Sequence, residues 1–302
     1  MQINALTIKH LRYFSAIAKF EHFARAADFC AISQPALSLQ IKQMEELVGA
    51  PLVERNTRNV RLTNLGRAIA VRAEHVLQAV DEIGDLVRAT AGEFTGLFRL
   101  GVIPTIAPYL LPEAMKRLTH NFPRLEIVLR ETFTHVLIGE LQSGDLDAAI
   151  LALPIAEPTL TEVELFSEDF LLVRPIKDTG KPVPDVKGLR KLKLLLLEEG
   201  HCFRDQALSF CGAGKARPKN IMDGSSLTTL VQLVGSGVGV TLIPEMAARI
   251  ETRLAGVETV RFADPQPSRR IGMVWRKTNP LEKQLTQISE TIYEAAEALT
   301  GR

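Results

Sequence analysis

Leu11, Phe14, Ile17 and Ala18 recur at the spacing of one helical face, so the pattern predicts an amphipathic helix over 8–19. A shorter helix fits 23–29, with Phe23, Ala26 and Ala27 turned inward, and Ala31-Ile32-Ser33 reads as a tight connection. Ser33 suits an N-cap, and Pro35 falls in a first helical turn, where a missing N–H costs nothing. The helix that follows, to about Val48, has one apolar face of Leu37, Ile41, Met44 and Val48. Its other face shows Gln34, Ser38, Gln40 and Lys42, mostly short or amide side chains able to read base edges. Leu52-Val53 and Val60-Arg61-Leu62 then alternate as two short strands, a hairpin carrying Arg55, Arg58 and Arg61 near its tip. Such a wing suits phosphate or minor-groove contact. Thr63-Asn64-Leu65-Gly66 reads as the cap of the next helix.

From Leu65 to about Ala91 nothing breaks a helix, and Ile69, Ala73, Val76, Val80, Ile83 and Val87 form a heptad seam that ends at Gly92. The seam predicts a two-stranded coiled coil pairing two chains; a surface helix packed on its own domain is the plainer alternative. Beyond it, apolar strands alternate with helical stretches, among them 98–103, 109–120, 125–129, 135–142, 148–153, 170–173, 193–197, 227–234, 240–243, 246–254, 271–275 and 280–298. That alternation predicts an α/β class of mostly parallel sheets in two lobes, like periplasmic binding proteins, with crossings near 166–172 and 263–271. The expected organisation is therefore a winged helix-turn-helix over 1–64, a linker or dimerisation helix over 65–92 and an α/β regulatory domain over 93–302. Its first lobe would take about 93–167 and 270–302, its second about 168–269. Ligands of such sheets sit at the carboxyl ends of strands, where Thr105 and Thr134 fall. Gly235-Ser236-Gly237-Val238-Gly239 follows a helix and precedes a strand, the reverse of a phosphate-binding glycine loop, and reads as a turn.

The chain has 302 residues, 46% hydrophobic and 24% charged, which excludes a disordered or collagen-like polypeptide. No apolar run is long enough to span a membrane, and the N-terminal stretch is too charged for a secretory signal. Three cysteines cannot make a disulfide framework, so a reduced cytoplasmic setting is expected. The formal net charge is only +1, yet residues 1–67 hold nine Lys and Arg against five Asp and Glu. A small basic module on an acidic body is what a chain shows when only one part meets a polyanion.

The string F-x-R-A-A-x-x-x-x-x-S-Q-P-A-L-S-x-Q-I (Phe23 to Ile41), with P-L-x-E-R (Pro51 to Arg55) and L-T-x-x-G (Leu62 to Gly66), resembles the DNA-binding domain of LysR-type transcriptional regulators. The resemblance implies double-stranded DNA with two-fold related half-sites as a partner. It makes Ser33, Gln34, Pro35, Ala36, Ser38 and Gln40 of the recognition helix, with Arg55, Arg58 and Thr63 of the wing, the candidate DNA contacts.

Chemistry concentrates in Gly200-His201-Cys202 through Phe210-Cys211. Cys30, in the second helix, reads as a packed thiol. His201, Arg204 and a helix starting after Gly200 would make Cys202 more acidic than a free thiol, with Glu198 and Glu199 opposing. Three readings stay open on the residues alone: an inert structural pair, a metal site of His201, Cys202 and Cys211, and a redox switch. If the segment is helical, the nine positions between the cysteines rise about 13.5 Å. A disulfide needs Cα atoms within about 7 Å. The segment cannot be wound and bridged at once, and closing the loop would be worth about 2.7 kcal/mol against the unfolded chain.

E-x-G-H-C-x-R-D-Q-A-x-x-F-C (Glu198 to Cys211) resembles the sensing segment of the peroxide-responsive branch of that same family. G-x-I-P-T-x-x-P-Y-L-L-P (Gly101 to Pro112), Thr134-His135 and L-D-x-x-I-L-A-L (Leu146 to Leu153) match as well. The resemblance implies Cys202 as the peroxidatic thiol, Cys211 as the resolving thiol, and Thr105, Thr134 and His201 around hydrogen peroxide. It implies a homo-oligomer, dimer to tetramer, acting with RNA polymerase and needing neither cofactor nor metal. Two other classes remain: a LysR-type regulator of a small organic ligand in the interlobe cleft, and a thiol enzyme. The fused helix-turn-helix argues against the enzyme, because turnover needs no operator.

Overall fold

In the computed structural model, which describes residues 3–55, 60–90, 95–211 and 221–300, the chain forms two compact units, Met1–Val87 and Arg88–Arg302. The first opens with α1 (Ile8–Phe20), α2 (Phe23–Phe29) and α3 (Gln34–Val48). The faces foreseen from periodicity are the buried ones: Leu11, Phe14 and Ile17 meet Ala26, Ala27, Leu37, Ile41 and Met44 in one core. The alanines of α2 are small, which lets α1 and α3 close over it. Two strands, β1 (Val53–Arg55) and β2 (Val60–Leu62), pair antiparallel as the wing. Glu45 of α3 accepts from the backbone N–H groups of Leu52 (2.8 Å) and Val53 (3.0 Å), so the wing strand is fixed to the third helix.

The long helix α4 (Asn64–Thr90) divides the predicted seam. Ala70 and Ala73 are buried in the core of the first unit, with Ile69 and Leu77 packed against it. Val71, Val76, Ile83 and Leu86 are exposed. The start of the seam therefore serves its own domain, and only the later part is open to a partner. The side chain of Val87, and Gly92 altogether, lie outside the described residues.

The second unit runs β3 (Gly96–Val102), α5 (Ala107–Asn121), β4 (Leu125–Glu131), α6 (Thr134–Ser143), β5 (Ala148–Leu153) and β6 (Leu160–Pro175). There follow α7 (Val186–Leu189), β7 (Leu194–Leu197), α8 (Cys202–Phe210), β8 (Ile221–Gly224), α9 (Leu227–Gly235), β9 (Val240–Pro244) and α10 (Glu245–Glu251). The unit closes with β10 (Val257–Val260), β11 (Ser268–Arg276) and α11 (Glu282–Thr300). Strands lie in the order β4-β3-β5-β11-β6-β9-β7-β8, with β10 also on β6. β3 is parallel to β4 and β5, and β7 to β8 and β9, whereas β11 runs antiparallel to β5 and β6. The unbroken apolar runs of β5 and β7 are buried throughout, as central strands covered on both faces must be.

β6 is far longer than its apolar stretch. Up to Asp169 it pairs with β11, and from Phe170 it pairs with β9, so one strand passes from the first lobe to the second. Each lobe keeps its own hydrophobic core; the first includes Trp275, the single tryptophan, and the second is built on Phe170, Leu195, Phe203 and Val231. The strands β8 and β10 were not foreseen. The glycine stretch after α9 is the expected turn into β9. Among the described residues no helix is long and apolar enough to cross a membrane.

Gly272 sits where the register between β11 and β6 shifts. A Cβ there would press on the Leu153 side chain and lie 2.7 Å from the Val163 carbonyl oxygen. Gly272→Ala is therefore expected to lose about 1–3 kcal/mol of stability through overpacking, read as a lowered midpoint in thermal unfolding; an unchanged midpoint would refute this tight crossing.

Candidate functional site

On the first unit, Ser33 caps α3 by accepting from the Ala36 N–H (3.3 Å), which leaves Gln34, Pro35 and Ala36 exposed at the start of the helix. Ser38 and Gln40 are half-buried on that helix, and Gln40 donates to Gln43 (2.8 Å). Thr63 is engaged structurally: its hydroxyl donates to the Pro51 carbonyl (3.0 Å) and accepts from Gly66 N–H (2.9 Å), tying the wing to α4. Arg55 ends β1 with its side chain outside the described residues, and Arg58 lies outside them entirely. Cys30 caps the end of α2 and packs against the core, and burial raises its pKa.

On the second unit, Ile103, Pro104 and Thr105 after β3, Phe133 and Thr134 at the start of α6, and Gly200, His201 and Cys202 at the start of α8 line one pocket. The sequence thus brings four predicted residues, Thr105, Thr134, His201 and Cys202, to a single cleft between the lobes. Its empty volume is about 170 Å³. That figure includes space open to solvent, and none of it is wide enough to hold a free water molecule, so the walls of the cleft stand almost in contact and leave no room for a drug-sized ligand.

Each polar group there has a definite state. Thr134 Oγ1 is buried with no hydrogen-bond partner among the described residues. An unpaired buried hydroxyl costs about 1–3 kcal/mol, so it favours a small polar guest. Thr105 is buried, and its Oγ1 accepts from Arg269 Nη1 (2.8 Å), which leaves its own proton free to donate. His201 caps α8 without a side-chain bond and packs edge-on to Phe133 at 4.8 Å. Burial lowers its pKa against the raising effect of Glu198, so near neutral pH the ring is uncharged.

Arg269 was not foreseen. It is buried on β11, bonds Glu168 of β6 (Nε to Oε1, 2.8 Å), holds both the hydroxyl and the carbonyl of Thr105, and lies over the Phe203 ring. Its sequence context, one of two adjacent arginines on a strand, carries no signal that separates it from its exposed neighbour Arg270.

Arg204 departs from the expectation that it would support the Cys202 thiolate. Two positions on, it projects from another face of α8 and bonds the Leu197 carbonyl (2.5 Å) and the Asp223 carboxylate (2.6 Å). Cys202 opens α8 and packs against the core of the first lobe. Cys211 closes the helix, is buried in the core of the second, and has its pKa pushed up to about 11 by burial, with Arg190 opposing. Both thiols are free and stand at opposite ends of a wound helix. That separation leaves the metal alternative unassembled, and no metal-ligating group of His, Cys, Asp or Glu forms among the described residues.

Residues 8–67 match the profile described as a bacterial regulatory helix-turn-helix protein, lysR family, and residues 91–297 match the LysR substrate binding domain. The chain is 42% identical over 300 residues to a probable hydrogen peroxide-inducible genes activator of Streptomyces viridosporus, covering 98% of this chain and 96% of that one. It is 39% identical over 292 residues to the DNA-binding transcriptional dual regulator OxyR of Escherichia coli, covering 95% of each. A full-length OxyR of Pseudomonas aeruginosa bearing a cysteine-to-aspartate substitution superposes with a TM-score of 0.75 at 34% identity, over 95% of this chain and 94% of that one. A cysteine-to-serine OxyR of Corynebacterium glutamicum with hydrogen peroxide bound gives 0.67 at 34% identity, over 98% and 94%.

Removing one partner of the buried Arg269–Glu168 pair strands the other charge. Arg269→Met is expected to cost about 3–5 kcal/mol in denaturant unfolding, and Arg269→Met with Glu168→Met to recover much of it. A single variant as stable as the parent would show that the pair is not coupled.

Proposed function

The chain belongs to the LysR family of bacterial transcriptional regulators, in the branch of the OxyR hydrogen peroxide-inducible activators, and on that premise we propose that it is a cytoplasmic DNA-binding regulator switched by peroxide oxidation of Cys202. The observation that carries the reading is a division of labour along α8. Cys202 stands in a tight pocket with a free Thr134 hydroxyl, a Thr105 proton and a neutral His201, while Cys211 is sequestered nine positions away.

The Cys202 thiolate attacks one oxygen of hydrogen peroxide, the O–O bond breaks, and hydroxide leaves. Donors aimed at the departing oxygen lower that barrier, the part assigned to Thr105, Thr134 and His201. The product is Cys202 sulfenic acid. Its condensation with the Cys211 thiol forms the S–S bond and releases water. Cys211 cannot take part from where it stands, because it is buried, protonated at neutral pH and about 13.5 Å of helical rise away. Bridging therefore requires α8 to unwind and its two ends to leave two different cores. A segment with two exclusive packings is a bistable element, and its change of state is passed to the oligomer and to the DNA heads. Cellular dithiols reverse it.

The DNA contacts are assigned to Ser33, Gln34, Pro35, Ala36, Ser38 and Gln40 in the major groove, and to Arg55 and Arg58 at the wing, while Thr63, whose proton goes to the Pro51 carbonyl, positions the wing against α4. The exposed Val76 and Ile83 of α4 pair two chains, so the operator has two-fold related half-sites; dimers associate further into tetramers and act on RNA polymerase. A small organic effector in the cleft is the alternative, and the narrowness of the pocket disfavours it.

Two outcomes are expected. Cys202→Ser abolishes the peroxide-dependent change in the operator footprint while leaving reduced-state binding intact; a retained change would sink the assignment. Val76→Glu with Ile83→Glu lowers the oligomeric state in sedimentation and weakens operator binding; an unaltered state would place the dimer contact elsewhere.

A further inference from the structure

We propose that Phe133 is the specificity-determining wall of the Cys202 pocket: it narrows the pocket so that hydroperoxides carrying a hydrocarbon group are turned away in favour of hydrogen peroxide. The inference rests on the peroxide-sensing reading and adds to it which peroxides the site takes.

Phe133 reaches from the first lobe across the cleft. Its backbone is fixed as the N-cap of α6, where its carbonyl accepts from Val136 N–H (3.1 Å) and Leu137 N–H (3.0 Å). The ring is held between two imidazoles, edge-on to His201 at 4.8 Å and stacked on His135 at 6.0 Å. Opposite it, Gly200 has φ +104°, a conformation that L side chains rarely adopt, and a Cβ there would already touch the ring at 3.5 Å. The ring therefore rests on bare backbone, with no intervening side chain to rearrange. It has no hydrogen-bonding atom to offer the guest, so its contribution is shape.

The displacement makes shape decisive. Sulfur, attacked oxygen and leaving oxygen lie in line as the S–O bond forms and the O–O bond breaks. The leaving oxygen departs as hydroxide from hydrogen peroxide and as an alkoxide from an organic hydroperoxide, and takes a proton from solvent. Its substituent must lie on the far side of the bond from Cys202, among the closely set residues that line the pocket. A hydrogen atom adds almost nothing there. A tert-butyl or cumyl group is larger than peroxide itself and would need the Phe133 ring to move off His201 and Gly200.

The test measures the second-order rate of Cys202 oxidation in the full-length reduced protein, by mass-resolved trapping of the sulfenic acid, with hydrogen peroxide and with cumene hydroperoxide. The parent should strongly prefer hydrogen peroxide. Phe133→Ala should raise the cumene hydroperoxide rate by about 10–200-fold, the span that pocket-size differences command, with little change for hydrogen peroxide. Phe133→Leu, which keeps an apolar side chain at the cap, should fall between and decides the matter if the alanine variant folds poorly. Equal rates for the two oxidants in the parent, or an unchanged ratio in both variants, overturn the assignment to Phe133 while peroxide sensing stands. A parent whose Cys202 is not oxidised by hydrogen peroxide overturns the sensing reading and this one with it.

Discussion

One buried guanidinium holds the sensing unit in register. Arg269 lies on the strand that returns from the second lobe, its carboxylate partner Glu168 on the strand that leaves the first, and Thr105 at the edge of the pocket. A charge in a core is tolerated only when it is paired and its donors are used, and here the carboxylate, a hydroxyl and a carbonyl take them up. The same atoms that satisfy the cation therefore fix the crossing strands and orient a threonine toward the pocket. Stability and chemistry are not separable at this point of the chain.

Beside that crossing, α8 spans from one lobe to the other. Its first residue packs with one lobe and its cap with the other, so winding the helix joins the lobes through two sulfur atoms that never meet. Burial keeps the second thiol protonated and out of reach of the first.

The parts of this arrangement that follow from local pattern were legible in the chain. Periodicity located α1, α3 and the start of α4, and the string from Gly200 to Cys211 located the thiols. What stayed hidden depends on pairing at long range. The first half of β6, carrying Glu162, Glu164 and Ser167, lies outside the apolar stretch 170–173 that marked the strand, and its extent shows only once β11 is seen to lie beside it. Arg269 and Arg270 are equivalent in sequence, and only the pleat sends one to the core and the other to solvent. Arg204 lay close to Cys202 along the chain, yet the turn of the helix delivered it to Asp223. Phe133 carried no motif at all; its meaning comes from the glycine across the cleft.

Trp275 sits in the middle of β11, fully buried in the lobe opposite the one that holds Cys211. Because it is the chain's single indole, tryptophan emission reports only from the lobe that does not hold Cys211. A spectroscopist exciting that indole would thus be looking from one lobe alone, and a second label introduced at α8 would report separately from it.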